Sequence, residues 1–327
     1  MAKALITTVP FAEKNHLPIE LLENAGIEYL INPIGRKLKE DELAEMVTDF
    51  DVIIAGTEPI TEKVMSCASR LKHISRVGIG LDSVDLLAAE RRGIKVSYTP
   101  EAPAPAVAEL TIALMLSLLR QVHVANIKLH EGSWHRYFGR RLPEVTIGVI
   151  GAGRIGGRVL RALTAFGAQH ILVNDLDANP KALNSLSFDR VEKETIYREA
   201  DVISLHVPLT PQTKNMVSYD ELKLMKSDAL VVNTSRGGII NEYDLIRVLH
   251  EGHLSGVAVD VFEQEPYVGG LTEIDRCLLT AHMGSMSVDC RSTMEIEATQ
   301  EAVRFLTGSA LLGLVPPEEY EVKRQGI

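Results

Sequence analysis

The stretch Val145-Thr-Ile-Gly-Val-Ile-Gly151-Ala-Gly153-Arg-Ile-Gly156-Gly-Arg-Val-Leu160 decides the fold. A β-branched apolar run, Val145 to Ile150, halts at a glycine loop and resumes as a helix-like segment from Arg154 to Phe166. Glycines at such a turn let the main chain approach a pyrophosphate, and the helix N-terminus offers it unpaired N–H groups and positive dipole. The G-x-G-x-x-G pattern alone would also suit a plain tight turn in a parallel sheet; the strand before it and the helix after it make it specific. A second strand, Ile171-Leu-Val-Asn-Asp175, ends in a carboxylate 24 residues beyond Gly151, where an acid that binds a ribose belongs.

The loop begins at residue 151 of 327, so a segment of domain size precedes it. Strands are expected at 3–9, 27–31, 51–55, 71–77 and 94–98, alternating with helices near 18–25, 40–49, 61–68 and 83–92, which implies a parallel sheet covered on both faces. Thr99-Pro-Glu-Ala-Pro103-Ala-Pro105 cannot continue either element, and it reads as a hinge into one helix running from Pro105 to about Leu129, ended by Gly132. A second series follows, with strands near 145–150, 171–174, 202–206, 229–233, 256–261 and 277–281. A last helix, Val288 to Phe305, is expected to pack back on the first domain. The predicted fold is α/β with two Rossmann-like doubly wound parallel sheets: a discontinuous flavodoxin-like domain, 1–100 with 287–327, and a dinucleotide-binding domain, 101–286.

Net charge is −10, and basic residues occur at most in pairs such as Arg91-Arg92 and Arg140-Arg141, which argues against nucleic acid as a partner. Three cysteines, Cys67, Cys277 and Cys290, without C-x-x-C spacing, suit reduced thiols in the cytoplasm. The N-terminus reads as a first strand, not a signal peptide, and no apolar run reaches membrane-spanning length. No metal site is expected.

Three strands of the second series end in complementary chemistry. Asn233-Thr-Ser-Arg236-Gly-Gly delivers a guanidinium, Asp260-Val-Phe-Glu-Gln-Glu265-Pro carboxylates, and Ala281-His282-Met-Gly284 an imidazole. In a doubly wound sheet all three point to the crevice beyond the strands' carboxyl ends. Each has a plain structural explanation alone: a surface ion pair, a loop acid, a hydrogen-bonded histidine. Their convergence is what suggests a site. The planar fork of Arg236 suits a substrate carboxylate and can polarise the adjacent carbonyl, while His282 can hand a proton to a developing alkoxide, with Glu265 favouring the imidazolium. Ser75-Arg-Val77-Gly78-Ile79-Gly80 reads as a strand and glycine turn whose N–H groups suit a carboxylate.

Over essentially its whole length the chain resembles the D-isomer-specific 2-hydroxyacid dehydrogenases. The similar segments are Gly78-Ile-Gly80-Leu-Asp-Ser-Val-Asp85, Ala106-Val-Ala-Glu-Leu110, the glycine loop, His206-Val-Pro-Leu-Thr210, Asn233-Thr-Ser-Arg-Gly-Gly238, Asp260-Val-Phe-Glu-Gln-Glu-Pro266 and Ala281-His-Met-Gly284. The resemblance implies Arg236, Glu265 and His282 as the catalytic set. It also implies substrate binding by Val77, Gly78, Ile79 and Arg236, a homodimer, and domains that close over NAD; the helix from Pro103 to Leu129 is expected to contribute to the dimer. The expected cofactor set is Gly151, Gly153, Arg154, Ile155, Gly156, Asp175, His206, Val207, Pro208, Thr213, Thr234, Ser235, Asp260 and Gly284. Within it Asp260 faces the carboxamide, and Val207 and Pro208 line the adenosine side. Asp175 would repel a 2′-phosphate, and Asn174-Asp-Leu-Asp-Ala178 contains no base to receive one, so NAD(H) is expected over NADP; Asp177 is the alternative acid.

The substrate is expected to be a small 2-oxo or 2-hydroxy acid of the phosphoglycerate or hydroxypyruvate type. Phosphoglycerate dehydrogenases usually carry Arg-Ser where this chain has Ala55-Gly-Thr-Glu58, and often polar residues where it has Pro103-Ala-Pro105-Ala, so phosphate donors are missing. About twenty residues follow the last expected helix, so no C-terminal regulatory domain is expected. Competing readings are a formate- or phosphite-type dehydrogenase, which glutamate at 265 disfavours, and an NAD-sensing protein resembling the C-terminal-binding corepressors.

Overall fold

A computed structural model describes residues 2–176, 183 and 186–324; Asp177 lies outside them. Contacts divide the chain into two units, Met1–Pro103 with Met286–Ile327, and Ala104–Ser285. The expected boundaries at 100/101 and 286/287 therefore move slightly. Thr99 N–H still bonds the Gly78 carbonyl (3.1 Å) beyond the last strand of the first sheet, and the next helix begins only at Ala104.

The first unit contains β1 (Lys3–Ile6), α1 (Leu17–Asn24), β2 (Glu28–Ile31), α2 (Glu40–Met46), β3 (Val52–Ala55), α3 (Glu62–Cys67), β4 (His73–Arg76), α4 (Leu86–Arg91) and β5 (Lys95–Tyr98). Its strands, all parallel, lie in the order β2-β1-β3-β4-β5. β3 and β4 are buried throughout, as strands covered on both faces must be. Thr61 and Asp85 cap α3 and α4 by accepting from the N–H groups of Val64 and Ala88.

The C-terminal helix α11 (Val288–Leu306) returns to this sheet. The Ser75 hydroxyl donates to the Ala298 carbonyl (2.7 Å), and the His73 ring packs at a tilt of 32° against Phe305. Burial pushes the His73 imidazole down to about 3, and its Nε2 lies 2.8 Å from Ser97 Oγ. The tail differs from expectation in holding a further helix, α12 (Pro317–Arg324). Residues 313–315 run along the edge strand β5, with Tyr98 N–H on the Gly313 carbonyl and Val315 N–H on the Val96 carbonyl, so an edge that would otherwise template pairing is covered.

The second unit opens with α5 (Ala104–Leu119) and α6 (Val122–His130), where one helix was expected. They meet at 64°. The Leu119 carbonyl, which a continuing helix would need, accepts from Arg140 N–H instead (3.0 Å), and Gln121 turns left-handed at φ +52°. Gly132, at φ +81°, ends α6 as expected. Among the described residues no single helix is long and apolar enough to cross a membrane.

Then come β6 (Thr146–Ile150), α7 (Arg154–Ala165), β7 (His170–Asn174), β8 (Asp189–Arg190), α8 (Lys193–Glu199), β9 (Val202–Leu205), α9 (Tyr219–Leu224), β10 (Leu230–Asn233), α10 (Glu242–His250), β11 (Gly256–Val259) and β12 (Cys277–Leu279). The sheet order among the described residues is β12-β11-β10-β9-β6-β7-β8, all parallel. On α7 the residues Gly156, Val159, Leu160 and Leu163 are buried, a helical spacing, while Arg154, Arg158 and Arg161 stand outside or at the margin. Two-residue β8 carries too little apolar pattern to be visible in the sequence. The chain reverses direction across the sheet between β6 and β9, and this switch point sets the site.

Candidate active site

Parallel strands place everything that follows β6, β9, β10, β11 and β12 on one edge of the second sheet. At the switch point, the loop after β6 touches the loop after β9. A Cβ added at Gly151 (φ +93°) would stand 2.7 Å from the His206 carbonyl oxygen and 3.0 Å from Val207 Cγ1. A Cβ at Gly156 would stand 1.9 Å from the Gly151 carbonyl oxygen. The fold itself therefore requires both glycines. Gly153, the N-cap of α7, is different: a Cβ there would meet no atom within 4 Å. Packing does not explain that glycine, and the open space above a helix N-terminus is the cradle a pyrophosphate fills. The glycine loop thus fits the dinucleotide.

Asp175 follows β7, and its Oδ2 accepts from Ala152 N–H, which holds the carboxylate over the glycine loop. A base does reach this corner, from outside residues 174–178: Arg190 of β8 donates to the Asp175 carbonyl (3.1 Å). Arg154 is exposed and Ile155 half-buried in the first turn of α7. His206 Nε2 lies 2.8 Å from Ser204 Oγ, and burial pushes the imidazole down to about 4, so it is neutral near pH 7 and unsuited to act as a second acid. Thr213 Oγ1 donates to the Pro208 carbonyl (2.6 Å) and closes that loop. Thr234 is buried, with its hydroxyl 2.7 Å from that of Thr111 on α5; both threonine hydroxyls therefore hold the fold in place.

Beyond β10, Asn233 shapes the turn that carries the arginine. Its Oδ1 accepts from Ser235 N–H (3.1 Å) and Ser235 Oγ (2.7 Å), and its Nδ2 donates to the Arg236 carbonyl (2.9 Å). Gly237 must be glycine, since a Cβ would stand 2.0 Å from the Phe262 carbonyl group in the next loop.

Glu265 and His282 meet. Nδ1 of His282 lies 3.0 and 2.9 Å from the two carboxylate oxygens of Glu265, whose Oε1 also accepts from Phe262 N–H (3.1 Å). A carboxylate on Nδ1 makes that nitrogen the N–H and presents Nε2 as the exchanging atom. His282 is left-handed, at φ +49°, which costs about 1 kcal/mol for a side chain with a Cβ. Asp260 holds it there. The Asp260 carbonyl accepts from His282 N–H (2.7 Å), Oδ1 accepts from Thr280 Oγ1 (2.5 Å) and Met283 N–H (2.9 Å), and Oδ2 accepts from Gly284 N–H (2.9 Å). Only 1% exposed, Asp260 clamps the histidine loop, a task the sequence did not reveal.

In the first unit the turn after β4 corrects one expectation. Val77 N–H donates to the Ala55 carbonyl (2.9 Å) and Gly78 N–H to Thr99 Oγ1 (2.8 Å). The strand ends of β3 and β5 thus take two N–H groups expected to receive a carboxylate. Ile79 is the half-buried member of the three.

Comparison with known proteins bears on the family of the chain. Residues 112–284 match the family model described as D-isomer specific 2-hydroxyacid dehydrogenase, NAD binding domain. The chain is 35% identical to a hydroxypyruvate reductase of Thermotoga maritima over 276 residues, 82% of this chain and 89% of that protein. It is 35% identical over 315 residues to a D-3-phosphoglycerate dehydrogenase of Methanocaldococcus jannaschii; that alignment takes in 94% of this chain and 58% of the relative. It spans 57% of the corresponding Synechocystis enzyme's length. The TT0316 protein of Thermus thermophilus superposes with a TM-score of 0.87 at 32% identity, covering 96% of this chain and 100% of that one. The chain belongs to the D-isomer-specific 2-hydroxyacid dehydrogenase family.

Proposed function

We propose that the protein is an NAD(H)-dependent oxidoreductase that interconverts a small D-2-hydroxy acid and its 2-oxo acid. The first unit binds substrate and the second binds cofactor. The observation that carries this reading is the two-oxygen contact of Glu265 with Nδ1 of His282, on a loop clamped by Asp260 at the sheet edge that holds the glycine cradle. Reduced nicotinamide, when bound, supplies hydride to the substrate carbonyl carbon. Arg236 holds the substrate carboxylate through its planar fork and polarises the neighbouring carbonyl. His282 delivers the proton from Nε2 to the carbonyl oxygen, and in oxidation removes it. Glu265 keeps the ring in one tautomer throughout, and the Asp175 carboxylate favours ribose hydroxyls over a 2′-phosphate.

The test is NADH consumption with glyoxylate, hydroxypyruvate, 3-phosphohydroxypyruvate and pyruvate. At least one should be reduced with kcat/KM of about 10⁴ M⁻¹s⁻¹ or more. NADH binding without turnover of any of them would reject the dehydrogenase reading in favour of an NAD(H) sensor.

The chain acts as a homodimer in the cytoplasm on this reading. Supporting the first, α6 buries no residue, and Leu129, Trp134 and Phe138 stand 57, 83 and 100% exposed along α6 and residues 133–139. Supporting the second, Cys67, Cys277 and Cys290 are unpaired thiols. Sedimentation should return twice the 35.9 kDa chain mass, and Trp134→Lys with Phe138→Lys should shift it toward monomer; a wild-type monomer at about 10 μM, a concentration at which a stable dimer persists, would overturn the assignment.

A further inference from the structure

The loops that carry Arg236 and Glu265 leave adjacent parallel strands, β10 and β11. Two glutamates outside the reactive set join these loops. Glu242 opens α10, six residues after Arg236, and Glu263 stands two residues before Glu265. Glu242 N–H donates to the Glu263 carboxylate (3.2 Å), and Glu263 N–H donates to the Glu242 carboxylate (2.6 Å). The N–H of a first helical residue has no partner within its own helix. Asn241, the cap of α10, uses its side chain on Asp244 N–H (3.0 Å). The acceptor for Glu242 therefore comes from the neighbouring loop, 21 residues further along the chain.

These bonds hold against opposition. Burial, and the charges of Glu263 and Glu265, keep the Glu242 carboxyl above the usual carboxylate range. Hydrogen bonds to a charged acceptor are the stronger kind, and here they keep like charges together at one corner. Beside the pair the loops already touch, since a Cβ at Gly237 would stand 2.0 Å from the Phe262 carbonyl group. Asn233 Nδ2 holds the Arg236 carbonyl (2.9 Å), and Phe262 N–H holds the Glu265 carboxylate (3.1 Å). Arg236 and the Glu265–His282 pair thus belong to one frame, with the two glutamates tying its outer end. We infer that Glu242 and Glu263 are positioning residues: their reciprocal carboxylate-to-main-chain bonds lock the arginine loop to the glutamate loop, so that a 2-oxo acid meets guanidinium and imidazole at one fixed spacing. This assignment rests on the oxidoreductase reading above and adds to it two residues that act through Arg236 and Glu265.

The test compares wild type with two double variants, Glu242→Ala with Glu263→Ala and Glu242→Gln with Glu263→Gln. The substrate is whichever of glyoxylate, hydroxypyruvate, 3-phosphohydroxypyruvate and pyruvate the wild type reduces fastest. Melting temperature reports folding, and NADH affinity is titrated on the same preparations. The alanine pair loses both acceptors. Its kcat/KM for the 2-oxo acid should fall about tenfold or more, through a higher KM for the acid and a lower kcat together. Its Kd for NADH should change less than about twofold, since the glycine cradle lies elsewhere on the sheet edge. The glutamine pair keeps both acceptors and should stay within about threefold of wild type. If the alanine pair fails to fold, Glu242→Ala and Glu263→Ala singly keep one bond each and should show the same pattern at about threefold. Wild-type kcat/KM in a folded alanine variant overturns the inference. So does an equal loss of NADH affinity, which would mark the pair as general scaffolding, or a glutamine pair no better than the alanine pair. Each of these leaves the dehydrogenase reading standing. Turnover of no 2-oxo acid by the wild type overturns both.

Discussion

Replacing His282 with glutamine lowers turnover about 10²–10⁴-fold, the range expected when a positioned general acid is lost, and leaves NADH binding intact. The carboxamide can still meet the Glu265 carboxylate, so the loop keeps a partner where Nδ1 now lies 2.9–3.0 Å from it. What disappears is the proton at Nε2. The left-handed backbone at 282 is held by the carbonyl and carboxylate of Asp260, not by the imidazole, so the fold tolerates the change. Steady-state kinetics and an NADH fluorescence titration on the same preparation separate the two effects. Near-normal turnover removes His282 from the chemistry.

The second large effect divides two glycines that the sequence motif treats alike. Gly156→Ala puts a Cβ 1.9 Å from the main-chain oxygen of Gly151. Backbone cannot yield as a flexible side chain can, so stability falls by about 1–3 kcal/mol or more, visible as a lower melting temperature without any cofactor present. Gly153→Ala puts its Cβ into open space. The melting temperature of the free protein should barely move, yet the Kd for NADH should rise about tenfold, or about 1.4 kcal/mol, because the methyl occupies room the pyrophosphate needs. Wild-type NADH affinity in Gly153→Ala would mean the cradle does not hold the cofactor as described. The contrast also separates the two explanations of a glycine loop: Gly151 and Gly156 serve the turn, and Gly153 serves what lies outside it.

Much of this was legible along the chain because it rests on local periodicity. The run Val145 to Ile150, the glycine turn and the 3.6-residue spacing of Val159, Leu160 and Leu163 define strand, loop and helix without outside help. Arg236 and His282 each stand three residues beyond a strand, and Glu265 six residues beyond one, so a parallel sheet brings them to one edge wherever its strands lie. Features set by distant partners were not legible. The break between α5 and α6 comes from Arg140 taking the Leu119 carbonyl. The helix α12 and the covering of β5 depend on residues more than 200 positions apart.

The sequence by itself determined the alternation of strands and helices, the dinucleotide loop and the identity of the reactive side chains, since each is written within a few consecutive residues. Strand order was decided only by the tertiary structure, and the two switch points follow from it. One sets His206 against Gly151; the other sets Thr7 and Gly56 around Glu58. Tertiary contacts likewise turned Asp260 from a strand-end acid into the clamp of the His282 loop, and brought Arg190 to Asp175. The physical reason is common to all of these. A hydrogen bond or a close approach between strand ends depends on which strands are neighbours, and that is settled by packing over the whole sheet.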